Sequence, residues 1–301
     1  MPQALLAAWL AFAPAPSFVP AECRTAGIVA GMDFLVTINR ERAAQALAPL
    51  RLGGALCAVA AERARELAAS GDLEPSLPAI TETARGLSRR GYRAYGFHEQ
   101  PILRRGDAGA ILAAWRERDP AGFRDAVLGD VTDLGVGRAE LEGTPLWVLL
   151  LALPSHTVFL RQAAALGDAA GLRVAVLAAI NRERERAGVP PLRPHPALER
   201  AAQAHAEDLE RRSYYDHHSP EGTTPRSRLL AQGYDARLAA ENLAKGFFSA
   251  DEVVARWMLS SGHRANILNP QLVDLGVGWA LDADAETALW VADFAAGGPP
   301  P

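Results

Sequence analysis

Apolar positions recur at helical spacing through much of the chain, and the clearest run is Leu172, Val176 and Ile180, which predicts a helix ended by Gly188. A second helix is expected from near Pro196, with Leu198, Ala202, His205 and Leu209 on one face, so His205 reads as a hydrogen-bonded core histidine. Thr224-Pro225 marks a third start, threonine as N-cap and proline in the first turn, and Gly233 closes that short helix. Ser249-Ala250-Asp251-Glu252 is a capping box opening a helix that buries Val253, Val254, Trp257 and Met258 before it breaks at Ser260-Ser261-Gly262. The pattern then changes to two strand-like runs over 275–281 and 288–295, joined by a polar turn at 282–286. Helices first and an antiparallel hairpin last predict an α+β class, with helices packed on a sheet.

The same order of signals occurs twice. Ile38-Asn39-Arg40-Glu41-Arg42 matches Ile180-Asn181-Arg182-Glu183-Arg184, and Pro49-Leu50-Arg51 matches Pro191-Leu192-Arg193, both at an offset of 142 residues. Gly91-Tyr92 against Gly233-Tyr234, Glu99 against Glu241 and Trp115 against Trp257 keep that offset. Asp133-Leu134-Gly135-Val136-Gly137 against Asp274-Leu275-Gly276-Val277-Gly278 slips it by one. A period this long is a duplicated domain, because solenoid units run about 20 to 50 residues. The expected organisation is a signal-like segment over 1–21, a first domain over 22–153, a linker over 154–171 with a short helix around 158–165, a second domain over 172–296 and a disordered tail at 297–301.

Composition narrows the partners. A hydrophobic share of 49% in 301 residues is enough to fill two cores. The net charge of −4, with arginines scattered among acids, leaves no basic stripe to track phosphates and excludes nucleic acid. The apolar run over 4–13 is too short to span a bilayer and has the length of a signal-peptide core, with Val19-Pro20-Ala21 as small residues for cleavage. Met1-Pro2-Gln3 supplies no positive side chain, so the competing reading is an apolar helix packed on the first domain. Cys23 and Cys57 either pair in an exported chain or remain two thiols, Cys57 as a buried small hydrophobe.

Three segments of the second copy concentrate polar groups: Tyr215-Asp216-His217-His218-Ser219-Pro220, Glu241-Asn242-Leu243-Ala244, and Trp257-Met258 running on to Ser261-Gly262-His263-Arg264. With Asn181-Arg182-Glu183-Arg184 before them and Leu275-Gly276-Val277-Gly278 after, their order and spacing resemble the CAP superfamily, the cysteine-rich secretory, antigen 5 and pathogenesis-related-1 proteins, in its cysteine-poor bacterial branch. The resemblance implies two tandem α-β-α sandwich domains, the first degenerate. It also implies a cleft in which two histidines and one or two glutamates face each other. With the apolar leader it places the chain outside the cell or in the envelope, with no transmembrane segment once the signal is removed.

Carried over residue by residue, His217 and His263 correspond to the cleft histidines and Glu241 to the first acid. Two imidazoles would leave zinc or another divalent metal open positions for water, and a nearby carboxylate could orient or deprotonate that water. The second glutamate of many relatives is absent, since Leu259, Ser260 and Ser261 stand there, which weakens the case for catalysis. His218, Asn242, Ser261 and Arg264 are the candidate supporting residues: His218 as an extra neighbour or a solvated turn residue, Asn242 bonding loop backbone, and Arg264 as a surface or helix-end group. In the first copy His217 becomes Pro75, and His263 falls opposite residues 121–123, while Glu99 persists.

The leading expectation is a secreted protein whose second domain binds a lipid, a peptide or a cell-wall component, and a metal, in its cleft without turnover. The alternatives are a hydrolase using Glu241 and a metal-bound water, and a scaffold with no occupied site.

Overall fold

The computed structural model describes residues 28–74 and 76–297, and they divide into two compact units with the break after Ser155. The expected signal-like segment, Cys23, Pro75 and the tail 298–301 lie outside the described residues.

Unit 1 runs α1 (Ile28–Ala44), β1 (Arg51–Leu52), α2 (Gly54–Ser70), α3 (Leu77–Arg89), β2 (Ala94–Leu103), α4 (Ala108–Arg118), α5 (Pro120–Val127), β3 (Asp133–Leu141) and β4 (Thr144–Pro154). Its sheet has the order β1-β3-β4-β2, with β1 parallel to β3 and the other pairs antiparallel. Residues alternate between the two faces of β4, which makes the unit a three-layer sandwich. Trp147, Leu149 and Leu151 pack with Phe34, Ile111 and Trp115, whereas Leu146, Val148 and Leu150 pack with Leu56, Val59 and Leu67. Cys57 is buried in α2 and disulfide-bonded.

The segment read as a linker is largely helical, α6 (Ser155–Ala165). Unit 2 continues with α7 (Ala169–Arg186), β5 (Arg193–Pro194), α8 (Pro196–Arg211), α9 (Pro225–Ala231), β6 (Ala236–Lys245), α10 (Ala250–Leu259), α11 (Ser261–Ile267), β7 (Asp274–Asp282) and β8 (Thr287–Gly297). The sheet order β5-β7-β8-β6 repeats that of unit 1. Trp290, Ala292 and Phe294 of β8 face α7, α10 and α11, while Leu289, Val291 and Ala295 face α8 and α9.

The capping signals act as expected. Thr224 and Ser227 form a capping box on α9, and Ser249 accepts from the Glu252 N–H at 3.2 Å. The Glu252 carboxylate reaches the Phe248 N–H, at 3.3 Å, one residue before the cap. Asp168, accepting from Gly171 N–H at 2.7 Å, starts α7 before its first expected apolar position.

The expected closing hairpin is β7–β8, but each sheet has a further long strand, β2 or β6, that the apolar pattern does not announce. The β6 sequence ARLAAENLAK is rich in good helix formers. Pairing with β8 over its length overrides that propensity.

The repeated motifs hold both units at the same points. Asn39 brackets Leu50 by accepting from its N–H at 2.7 Å and donating to its carbonyl at 3.1 Å, and Asn181 treats Leu192 alike, at 2.8 and 3.0 Å. Buried Arg42 and Arg184 each gather four backbone carbonyls, including those at the ends of α5 and α11. The paired glycines let sheet and helix touch: a Cβ on Gly135 or Gly137 would lie 2.4 or 2.1 Å from α2 backbone, and one on Gly276 or Gly278 2.1 or 2.3 Å from α8 backbone.

Candidate functional site

The site of unit 2 is built on its edge strand β6, where successive side chains take opposite faces. Asn242 is fully buried on the α11 side, donating to the His263 carbonyl at 3.1 Å and accepting from Asn266 Nδ2 at 2.8 Å. It therefore fixes the first turn of α11. Trp257 Nε1–H, donating to the Leu243 carbonyl at 3.0 Å, ties α10 to the same strand.

Glu241 turns to the α8–α9 side, its side chain only 1% exposed. Its Oε1 accepts from His217 Nδ1–H at 2.8 Å, and its Oε2 accepts from Arg228 at 2.5 Å. Arg228, on α9, also donates to the carbonyls of His217 and Thr223, at 3.0 and 3.3 Å. One guanidinium thus binds both the carboxylate and the loop carrying the histidine. His205 lies beneath, buried, its Nε2 on the Asp216 carbonyl at 3.1 Å and 3.9 Å from Glu241. It is the hydrogen-bonded core histidine its place on the apolar stripe suggested, and it lies under the Glu241 cluster.

The two cleft histidines are driven in opposite directions. The hydrogen bond His217 donates to Glu241 is the main cause that raises the His217 pKa above the ordinary histidine value, although 47% of that side chain is exposed. Burial, then the charges of His217 and Arg256, lower the pKa of half-buried His263. Burial likewise keeps His205 neutral. His217, with its Nδ1 taken by Glu241, is thus biased toward the charged form and His263 toward the neutral one.

Asp293 was not singled out in the sequence, and its only signal there is an acid inside an apolar strand. It sits directly across from Glu241 in the β6–β8 register and is wholly buried. Arg228 and Asn266 also escaped notice; one arginine among thirty-one basic residues and one asparagine in a helix carry no spacing signal. His218 is 60% exposed with Nδ1 3.5 Å from Asp216, in the turn and not on the Glu241 cluster. Ser261 and Arg264 are exposed on α11.

Among the described residues no three His, Cys, Asp or Glu side chains gather as a metal-binding group. Both oxygens of Glu241 are engaged, and two imidazoles fall short of the three or four protein ligands of a zinc site. The residues as placed do not by themselves complete such a centre.

Unit 1 has a different solution at the same place. Arg63, at the position of His205, donates to Glu99 at 3.0 Å and to Glu66 at 2.5 Å, and Thr83 donates to Glu99 at 2.5 Å. Leu150 stands across from Glu99, where unit 2 has Asp293. A cavity of about 200 Å³ opens there, lined by Arg63, Leu67, Ile80, Phe97, Glu99 and Pro101.

Comparison with known proteins assigns the sequence to a family. The CAP model, described as the cysteine-rich secretory protein family, matches residues 35–151 and again 177–294. The chain is 37% identical over 114 residues to the uncharacterized protein YkwD of Bacillus subtilis, covering 38% of this chain and 43% of that one. The chain thus spans less than half the length of that relative. Among solved structures it is similar to an extracellular protein containing a SCP domain from Bacillus anthracis, at 22% identity and TM-score 0.39, covering 53% of this chain and 59% of that one. It is also similar to an outer surface protein from Borrelia burgdorferi, at 24% identity and TM-score 0.37, covering 40% and 90%. With the family's pattern matched in both units, across most of the described residues, the chain belongs to the CAP family as a tandem pair of α+β domains.

Proposed function

We propose that this is an exported CAP protein whose second unit binds the anionic group of a peptide or envelope ligand at His217 and His263, without turnover. The observation that carries the reading is the fixed, exposed His217 ring, held through Nδ1 by buried Glu241, which favours its charged form and leaves Nε2 for a ligand. Arg256 adds positive potential near His263. A carboxylate or phosphate oxygen is the complementary partner for such a donor. Glu241, sealed from solvent, acts on the cleft through His217 and is not free to take a proton from water.

Export is supported by the apolar run over residues 4–13 and by the disulfide at Cys57, which persists in oxidising compartments. Among the described residues no single helix is long and apolar enough to cross a membrane.

The test titrates the full chain, followed by NMR of the histidine rings, with a short peptide bearing a free carboxylate and separately with vesicles of an anionic phospholipid. The expected result is a shift of the His217 and His263 signals with one of these probes, abolished by His217→Ala. Histidine signals unmoved by both, or binding that survives His217→Ala together with His263→Ala, would remove the reading in favour of a scaffold.

A further inference from the structure

The cluster under His217 holds two acids, and both of its cations are bonded to the first, Glu241, and not to the second. Glu241 and Asp293 face each other across β6 and β8. The charged groups around them are Arg228 from α9, already spent on Glu241 Oε2, and exposed His217 from the loop, spent on Oε1. His205 from α8 adds no charge, because burial keeps it neutral. Both oxygens of Asp293 are buried without a hydrogen-bond partner, as is Arg228 Nε. Two ionised carboxylates meeting in a dry layer repel, and neither can donate; a single proton between them turns that contact into a hydrogen bond.

We propose that Asp293 is a positioning residue of the cleft: a protonated carboxyl whose O–H donates to Glu241 and so steadies the carboxylate from which His217 and Arg228 hang. Burial, and then the charge of Glu241, push the Asp293 carboxyl well above the ordinary carboxylate range, in agreement with that geometry. Unit 1 supplies the internal comparison. Where the cleft histidines are missing, the buried acid is missing too; Leu150 fills its position, and Arg63 with Thr83 satisfies Glu99 instead. The sheet therefore accepts leucine at this point, and the acid stays where it serves the histidine-bearing loop. Burying an acid where leucine packs opposes stability, which fits a site residue and not a scaffold residue.

The functional meaning rests on the cleft reading above, but the proton on Asp293 is measured without any ligand, so the two fail separately. Infrared difference spectra of the full chain, wild type minus Asp293→Asn, should contain the carbonyl band of a neutral carboxylic acid at pH 7. Unfolded, Asp293 ionises in the ordinary carboxylate range; folded, it keeps its proton up to its raised value. Across that window the native state holds one proton more, so this residue lowers the folding equilibrium about tenfold per pH unit as pH rises. Asp293→Asn, whose amide can donate as the acid does, and Asp293→Leu, which copies the leucine of unit 1, should both lose that contribution. Hydrogen exchange of β7 and β8 reads it, with β3 and β4 in the same chain as reference.

The His217 titration, followed by NMR, gives a readout that packing alone does not move. Asp293→Asn should leave it in place, since one neutral donor replaces another. An ionised Asp293 paired with Arg228 Nε–H would give the opposite results: no acid band, no lost pH slope, and a His217 pKa that falls when the Asp293 charge is removed. Any of those three outcomes overturns the proposal.

Discussion

The two units carry the same sheet order, the same glycine contacts and the same buried arginine, and they differ in what they place around one glutamate. In unit 1 Glu99 is bonded to Arg63 and Thr83 at the wall of a cavity, with Leu150 opposite. In unit 2 Glu241 holds an exposed histidine and a long arginine, with Asp293 opposite. The glutamate is thus a shared anchor, and its partners decide whether it is satisfied by buried helix side chains or holds an exposed histidine. A residue kept in both units belongs to the scaffold; those kept only in unit 2, His217, Arg228, His263 and Asp293, belong to the site.

The sharpest test of the shared part is the buried arginine. Replacing Arg184 by Met removes four hydrogen bonds to backbone carbonyls and orphans those of Ile267 and Leu272. The expected loss is about 4 kcal/mol or more from unit 2, since each buried acceptor left unpaired costs about 1–3 kcal/mol. Arg42→Met should weaken unit 1 to a similar extent, because its contacts fall on the carbonyls of Ala48, Val127, Gly129 and Val131. Hydrogen exchange resolved by unit measures both; a clear inequality between the two would break the view of a common scaffold.

The divergent part is tested at the anchor. Glu241→Gln leaves the Arg228 guanidinium, 11% exposed, without its counter-charge, and the expected loss is about 3 kcal/mol in unit 2. The same change releases His217, whose pKa should fall toward the ordinary histidine value because the hydrogen bond that raised it is weakened. Glu99→Gln should cost less, about 1–2 kcal/mol, because Arg63 keeps its pairing with partly exposed Glu66. Equal losses in the two units, with the His217 titration unmoved, would mean that Glu241 is a scaffold residue only.

Much of the scaffold is legible in the sequence because its devices are local or repeated. Helix caps at Thr224 and Ser249 depend on residues within one turn, and the Asn and Gly-x-Gly motifs appear twice at one offset. The long edge strand was hidden because Ala, Leu, Glu and Lys favour a helix until β8 is available to pair. The histidines and Glu241 stand out through their family pattern. Asp293 does not, since its meaning arises from a cross-strand register that brings it to a residue more than fifty positions away. Arg228 is one of many arginines until α9 folds beneath the loop.

The smallest expected effect tests whether the two histidines share one electrostatic field. His263 is held low first by burial and second by the charge on His217. His217→Gln removes only the second cause, so the His263 pKa should rise part of the way and stop short of the ordinary value. Its linkage follows: a histidine whose pKa is lowered on folding loses stability as pH falls below its unfolded value, so the His263 share of the acid-side loss should shrink, while the acid-side gain that came from the raised pKa of His217 disappears with its ring. If His263 does not move, the two rings act independently and the paired cleft dissolves into two unrelated side chains. If it moves the whole way to the ordinary value, burial was never the larger cause, and α11 is more open to water than its contacts with Asn242 imply.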